Sequence, residues 1–184
     1  MKIAILGDGG LARELRWLLE VSGHRATLHG PDEERAAWRE SWVIGVGSPP
    51  LRKAIADRCP STESRSIGLV VDSTGHAYPK DNGGALLLAG VRVTCDVSVG
   101  AHALLNLNVT VGHDTRIGAY SVINPGANIS GHVTIGECVL VGAGACIREG
   151  VTIGDGATVG MGAVVLRDVP AGEVWVGNPA RRLR

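Results

Sequence analysis

From Ala85 to Asp168 the chain repeats itself every six residues without a break. Read in blocks it runs ALLLAG, VRVTCD, VSVGAH, ALLNLN, VTVGHD, TRIGAY, SVINPG, ANISGH, VTIGEC, VLVGAG, ACIREG, VTIGDG, ATVGMG and AVVLRD. The third position is Leu, Val or Ile in all fourteen blocks, and the first is always Ala, Val, Thr or Ser. Side chains two apart in an extended segment share a face. Each block therefore sends one small and one large side chain inward and then turns. Gly is the commonest residue at the fourth position, with Asn or Ser at others, types that tolerate the backbone of a corner. Short strands with a corner every six residues build a solenoid.

Composition agrees with such a core. The 184 residues include 27 Gly, four Trp, two Tyr and no Phe, so Val, Ile, Leu and Ala must fill the interior. Eighteen basic residues balance eighteen acidic ones with no long run of either sign, which argues against a nucleic-acid or anionic-membrane partner. The longest apolar stretch, around Ala85–Val91, is too short to cross a bilayer. The N-terminus reaches Asp8 after one short apolar run, a poor signal peptide. Cys59, Cys95, Cys138 and Cys146 have no CxxC spacing and no partnered His cluster. Neither a zinc site nor a disulfide framework is indicated, and reduced thiols in a cytoplasmic protein are expected.

The first seventy residues have another rhythm. KIAILG reads as a strand, followed by the loop Gly7-Asp8-Gly9-Gly10 and an amphipathic helix over Leu11–Val21. RATLHG is a second strand, with Pro31-Asp32 opening a helix to about Trp38. WVIGVG is a third strand, Ser48-Pro49 starts another helix, and IGLVVD is a fourth strand. Alternating strand and helix predict a small Rossmann-like parallel α/β unit over residues 1–72, a linker over 73–84, and an all-β solenoid with its tail over 85–184.

Gly7-Asp8-Gly9-Gly10-Leu11-Ala12 fits GxGxxA between a strand and a helix, which brings backbone N–H groups against phosphate. The plainer reading is a strand-to-helix turn and nothing more. Gly47, ending the third strand, faces the same crevice, and Asp32 follows the second strand where a ribose or base contact is expected. In the repeat, Val111-Gly112-His113-Asp114 puts an imidazole and a carboxylate at one corner, where the carboxylate raises the basicity of the ring and fixes its tautomer. Asn106 lies one corner back. Residues eighteen apart stack if three blocks make a coil, giving the column Asp96, Asp114, His132.

The segments NLNVTVGHDTRIG, SVINPGANISGHVTIG, VGAGACIREGVTIGDGATVGMGAVVLRDVP and VGNPARR resemble the bacterial sugar acetyltransferases of the sialic acid O-acetyltransferase and UDP-amino-sugar N-acetyltransferase family. The resemblance is strongest from Asn106 to Arg181 and looser over residues 24–84. It implies a left-handed parallel β-helix of three blocks per coil behind a nucleotide-sugar-binding α/β domain. It also implies transfer of an acetyl group from acetyl-CoA to an amine, or less readily a hydroxyl, of a nucleotide-linked sugar in bacterial glycan biosynthesis. In that family His113 is the general base and Asp114 tunes it. Asn106 lies near the sugar, Gly131 contacts the thioester oxygen, and Ala143 and Met161 contact coenzyme A. The sugar-nucleotide loop falls on Gly9, Gly10 and Leu11, with Gly47. Two positions depart from the family: relatives commonly carry His near the acetyl group where this chain has Val122, and often His at the loop where it has Leu11.

No metal is needed for this chemistry, and a homo-oligomer, a trimer by resemblance, is expected because a single prism has smooth walls. Two other classes compete. A metal lyase of the γ-carbonic anhydrase kind needs two His five apart and a third two coils away, a spacing His102, His113 and His132 lack. A non-catalytic sugar-nucleotide-binding scaffold would explain Val122 and Leu11 as marks of lost activity.

Overall fold

The computed structural model describes residues 2–30, 41–58, 65–66, 69–70 and 83–183. It begins with β1 (Lys2–Leu6), α1 (Gly10–Val21), β2 (Arg25–His29), β3 (Ser41–Ile44), α2 (Pro49–Asp57) and β4 (Arg65–Ser66). The four strands form one parallel sheet in the order β2-β1-β3-β4. Its middle is dry, because Ile3, Ala4, Ile5 and Leu6 are wholly buried between helices on its two sides. Gly45 is required here: a Cβ would stand 2.6 Å from Ile5 and 2.9 Å from Ala12, so β3 packs closely only without a side chain. The second expected helix, from Asp32 to about Trp38, lies outside the described residues.

One expectation changes at the boundary. The sequence places the fourth strand at residues 67–72, but Arg65–Ser66, just ahead of that segment, extends the α/β sheet instead. Within the segment, β5 (Leu69–Val70) pairs with Leu86–Leu87 of the repeat.

The repeat folds as fourteen two-residue strands, from β6 (Leu86–Leu87) to β19 (Val164–Val165), one in each block. They form three parallel sheets in which each strand pairs with the strand eighteen residues away, Thr110 with Asn128 for example. The solenoid is thus a triangular prism of almost five coils. First- and third-position side chains fill it, forming one continuous core from Ala85 to Ala180. Two polar residues occupy first positions, Thr115 and Ser121, both fully buried. They survive there because Thr115 donates to Ser130 O at 3.0 Å, and Ser121 donates to Gly136 O at 2.7 Å and accepts from the Val139 amide. β20 (Val174–Val176) continues one sheet, and β21 (Arg181–Arg182) turns back antiparallel on it.

The corners differ in detail from the sequence reading. The left-handed residue is the sixth of every block but the last, not the fourth: Asp96, His102, Asn108, Asp114, Tyr120, His132 and Cys138, for example, all have φ between 54° and 61°. Fourth-position glycines serve a different need. At Gly112 a Cβ would lie 2.5 Å from the Gly131 amide nitrogen of the next coil, and at Gly142 2.4 Å from that of Met161. They let coils stack closely at the corner.

Calling face I the sheet of Leu86, Leu104, Val122, Leu140 and Thr158, the next corner along the chain is A (residues 88–90, 106–108 and onward), then face II, corner B (94–96, 112–114, 130–132), face III and corner C (100–102, 118–120). Second-position side chains point outward. On faces II and III most are polar: Arg92, Ser98, Thr110, Arg116, Asn128, Thr134. On face I, Leu86, Leu104 and Val122 are buried instead, packed with Ile3, Ile5, Leu15 and Val43 of the α/β unit. Each such side chain stabilises the junction by ~1.5–3 kcal/mol relative to exposure. At corner C the rings of Trp42, His102 and Tyr120 stack, with centroids 5.4 and 5.8 Å apart. Beside them the buried Arg52 of α2 donates to Ile44 O, Val46 O and His102 O at 2.7–3.0 Å. Burial pushes the pKa of Arg52 down to about 9 and, with Arg52 nearby, that of His102 to about 4. At neutral pH the arginine is therefore charged and the histidine neutral.

Candidate active site

Corner B carries the residues with chemistry. His113 is the fifth residue of its block and Asp114 the sixth, so the tight turn presents both side chains together. Nδ1 of His113 lies 2.8 Å from Oδ2 of Asp114. One coil on, His132 stacks on Asp114: its Nε2 is 3.7 Å from the same oxygen, and its ring meets that of His113 edge-on at 4.9 Å. The coils are tied beneath them, with the His132 amide donating to His113 O at 2.8 Å. All three side chains are about half exposed. The hydrogen bond from His113, followed by the charge of His132, holds the Asp114 carboxyl below its usual value. An ionised Asp114 accepts the Nδ1 proton, which leaves Nε2 as the basic nitrogen of His113.

Gly131 lies against that nitrogen. A Cβ there would stand 2.7 Å from Nε2 of His113, so only glycine leaves the imidazole its place. Among the described residues the Gly131 amide has no hydrogen-bond acceptor.

The other expected residues are distributed. Asn106, Ala143 and Met161 all stand at corner A; Ala143 and Met161 are one coil apart, and Met161 is 81 % exposed. The Asn106 side chain accepts from the Leu107 amide at 2.7 Å. Val122 belongs to neither corner. It is fully buried on face I beneath the α/β unit, so it offers no surface to a bound acetyl group, and that expectation is withdrawn. The position is apolar because it completes the junction.

In the α/β unit, the Gly7–Leu11 loop, Gly45, Val46, Gly47 and the Leu51–Ile55 side of α2 enclose a cavity of about 460 Å³. Gly7 adopts φ 130°, which needs glycine, whereas Gly9 and Gly10 have nothing within 4 Å of a Cβ position and keep the cavity open. The unbonded amides of the first turn of α1 give it a donor-rich wall. Gly9, Gly10, Leu11 and Gly47 all line it; Asp32 lies outside the described residues. The anchor Arg52 and the Trp42–His102–Tyr120 stack were not anticipated. His102 and Tyr120 stand eighteen apart, a signal the repeat did carry.

The family model for bacterial transferase hexapeptide (six repeats) matches residues 132–167. Among solved structures, the acetyltransferase domain of PglB from Neisseria gonorrhoeae in complex with acetyl coenzyme A superposes with TM-score 0.87 at 26 % identity, covering 99 % of this chain and 98 % of that one. WeeI from Acinetobacter baumannii gives 0.83 at 25 %, covering both chains fully. By repeat and by fold, the chain is similar to hexapeptide-repeat β-helix sugar acetyltransferases. A variant of perosamine N-acetyltransferase from Caulobacter crescentus, in complex with CoA and GDP-perosamine, shares this fold at TM-score 0.88 and 24 % identity, covering 100 % of this chain and 97 % of that one. No curated protein matches the sequence. Among the described residues no helix is long and apolar enough to cross a membrane.

Proposed function

We propose that the protein transfers an acetyl group from acetyl-CoA to an amine of a nucleotide-linked sugar, with His113 as general base. The observation that carries this reading is the His113–Asp114 pair, 2.8 Å apart, with Nε2 against an unblocked glycine backbone. The complexes of PglB with acetyl coenzyme A and of perosamine N-acetyltransferase with CoA and GDP-perosamine support the choice of substrates.

As the amine attacks the thioester carbonyl, Nε2 of His113 takes its proton, and Asp114 holds the imidazolium that forms. A positioned base supplies ~10²–10⁴ in rate. The Gly131 amide donates to the developing oxyanion, a contribution of ~10²–10³. Collapse breaks the C–S bond, and His113 returns the proton to the departing thiolate. The α/β cavity holds the diphosphate and base, and Ala143 and Met161 receive the pantetheine arm.

These parts do not meet in one chain. The α/β unit covers face I, and corner B is the corner opposite that face. Ala143 and Met161 stand at corner A. The prism itself separates the nucleotide cavity from His113. A second copy, bringing its own corner A and cavity to corner B of the first, completes the site, so the working form is an oligomer, as a trimer would be. The deciding assay is thiol release from acetyl-CoA with a panel of UDP- and GDP-linked amino sugars. Release with an amino sugar and none with its hydroxyl counterpart is the expected result, and no release with any sugar refutes the reading.

A further inference from the structure

We propose that His113, Asp114 and His132 also form a site for a divalent transition-metal ion, and that its occupation switches the base off. The second half of this statement rests on the reading of His113 as the base; the first does not.

The donor atoms already surround one point. Oδ2 of Asp114 is 2.8 Å from Nδ1 of His113 and 3.7 Å from Nε2 of His132, and one ligand atom from each of the three side chains lies within 4.8 Å of the other two. A tetrahedral zinc ion with bonds of ~2.0–2.1 Å holds its ligand atoms ~3.3 Å apart. Small rotations of two half-exposed imidazoles close the difference. The backbones need not move. Asp114 and His132 occupy the same left-handed corner position with φ 57° and 56°, and the two coils are joined by the His132 N–H to His113 O bond of 2.8 Å. The scaffold therefore repeats one side-chain direction at two levels, and a two-imidazole, one-carboxylate set results. That set suits Zn²⁺, Co²⁺, Ni²⁺ or Cu²⁺ and not Mg²⁺ or Ca²⁺, which favour oxygen. Half exposure leaves an entry path and open positions for water.

The effect on catalysis follows from the tautomer. In the free site the Nδ1 proton goes to Asp114 and Nε2 is basic. A metal ion on Nδ1 displaces that proton, and a neutral imidazole then carries its proton on Nε2. The atom facing Gly131 changes from acceptor to donor, and no lone pair remains for the amine. Metal and substrate proton compete for one ring.

The test uses the full chain with Cys59 and with Cys95 and Cys146, the exposed thiols among the described residues, replaced by serine so that they cannot take the metal. Calorimetric titration with Zn²⁺ should give one site per chain, and Co²⁺ should develop a visible absorption band, while Mg²⁺ gives neither. His132→Asn should weaken Zn²⁺ binding at least ~10-fold. Thiol release should fall with the same dissociation constant, and a chelator should restore it. Absence of binding, or binding that His132→Asn does not weaken, overturns the site. Binding with undiminished turnover overturns the switch alone; His113→Ala, assayed without metal, then reports separately whether His113 is the base.

Discussion

The imidazole of His113 lies against the backbone of Gly131, so close that a methyl group there would stand 2.7 Å from Nε2 and 2.8 Å from Cε1. The obstructed atoms are the end of a half-exposed side chain, which swings aside at little cost to the coils. Gly131→Ala should therefore melt within a few degrees of the parent by circular dichroism, yet lose ~10²-fold in kcat, as displacement of a catalytic group by about 1 Å does. Unchanged turnover would show that this position of the ring is not the reactive one.

His113→Ala removes the proposed base. Its kcat should drop at least ~10²-fold with KM for acetyl-CoA little altered, because the proton moves only in the transition state. A variant with near-normal kcat takes His113 out of the mechanism.

Asp114 links the site to acid stability. Its carboxyl is held below the ordinary value, first by the hydrogen bond from His113 and then by the charge of His132. A lowered folded pKa makes a stabilising contribution that is fully present above the unfolded value of ~3.9 and is lost as pH falls through the folded one. The Tm difference between the parent and Asp114→Asn should thus persist at pH 7 and disappear in acid below pH ~4. A difference that grows in acid would contradict the sign.

A side chain at Gly9 enters open space in the α/β cavity, so Gly9→Leu should fold normally, weaken nucleotide-sugar binding and spare acetyl-CoA affinity. Because that cavity and His113 lie on opposite sides of the prism, mixing Gly9→Leu with His113→Ala and allowing subunits to exchange should recover turnover that neither has alone. Failure to complement in a demonstrably mixed oligomer would place both parts in one chain.

Arg52 holds three carbonyls of the junction. Arg52→Ala leaves them without their donor in a buried place, and denaturant unfolding should register a loss of about 2–4 kcal/mol. A loss below ~0.5 kcal/mol would mean that the apolar contacts alone hold the joint.

The prism was legible because its period is carried by covalent spacing: inward positions one and three of every block recur whatever the chain meets elsewhere. His113 and Asp114 were legible as neighbours, and His132 as their stacking partner, by counting eighteen. The role of Gly at position four was misjudged, since a close approach between coils and a left-handed turn both favour glycine, and only the coordinates separate Gly112 from Asp114. Val122 was misplaced for a different reason. Analogy set it beside an acetyl group, while the outward column Leu86, Leu104, Val122, Leu140 already differed from Arg92, Thr110, Asn128. The division of residues 65–70 between two sheets had no local signal, because a two-residue strand takes its partner from the surface it meets.

That apolar column sets how the two halves can be recombined. A prism excised from its α/β unit would present Leu86, Leu104 and Val122 to water as a flat greasy wall with backbone edges nearby, and would self-associate. Grafting a different α/β module onto this prism therefore means redesigning three outward side chains. Conversely, replacing them with Thr, Ser or Arg, as on the other two faces, is the route to a freestanding coil stack.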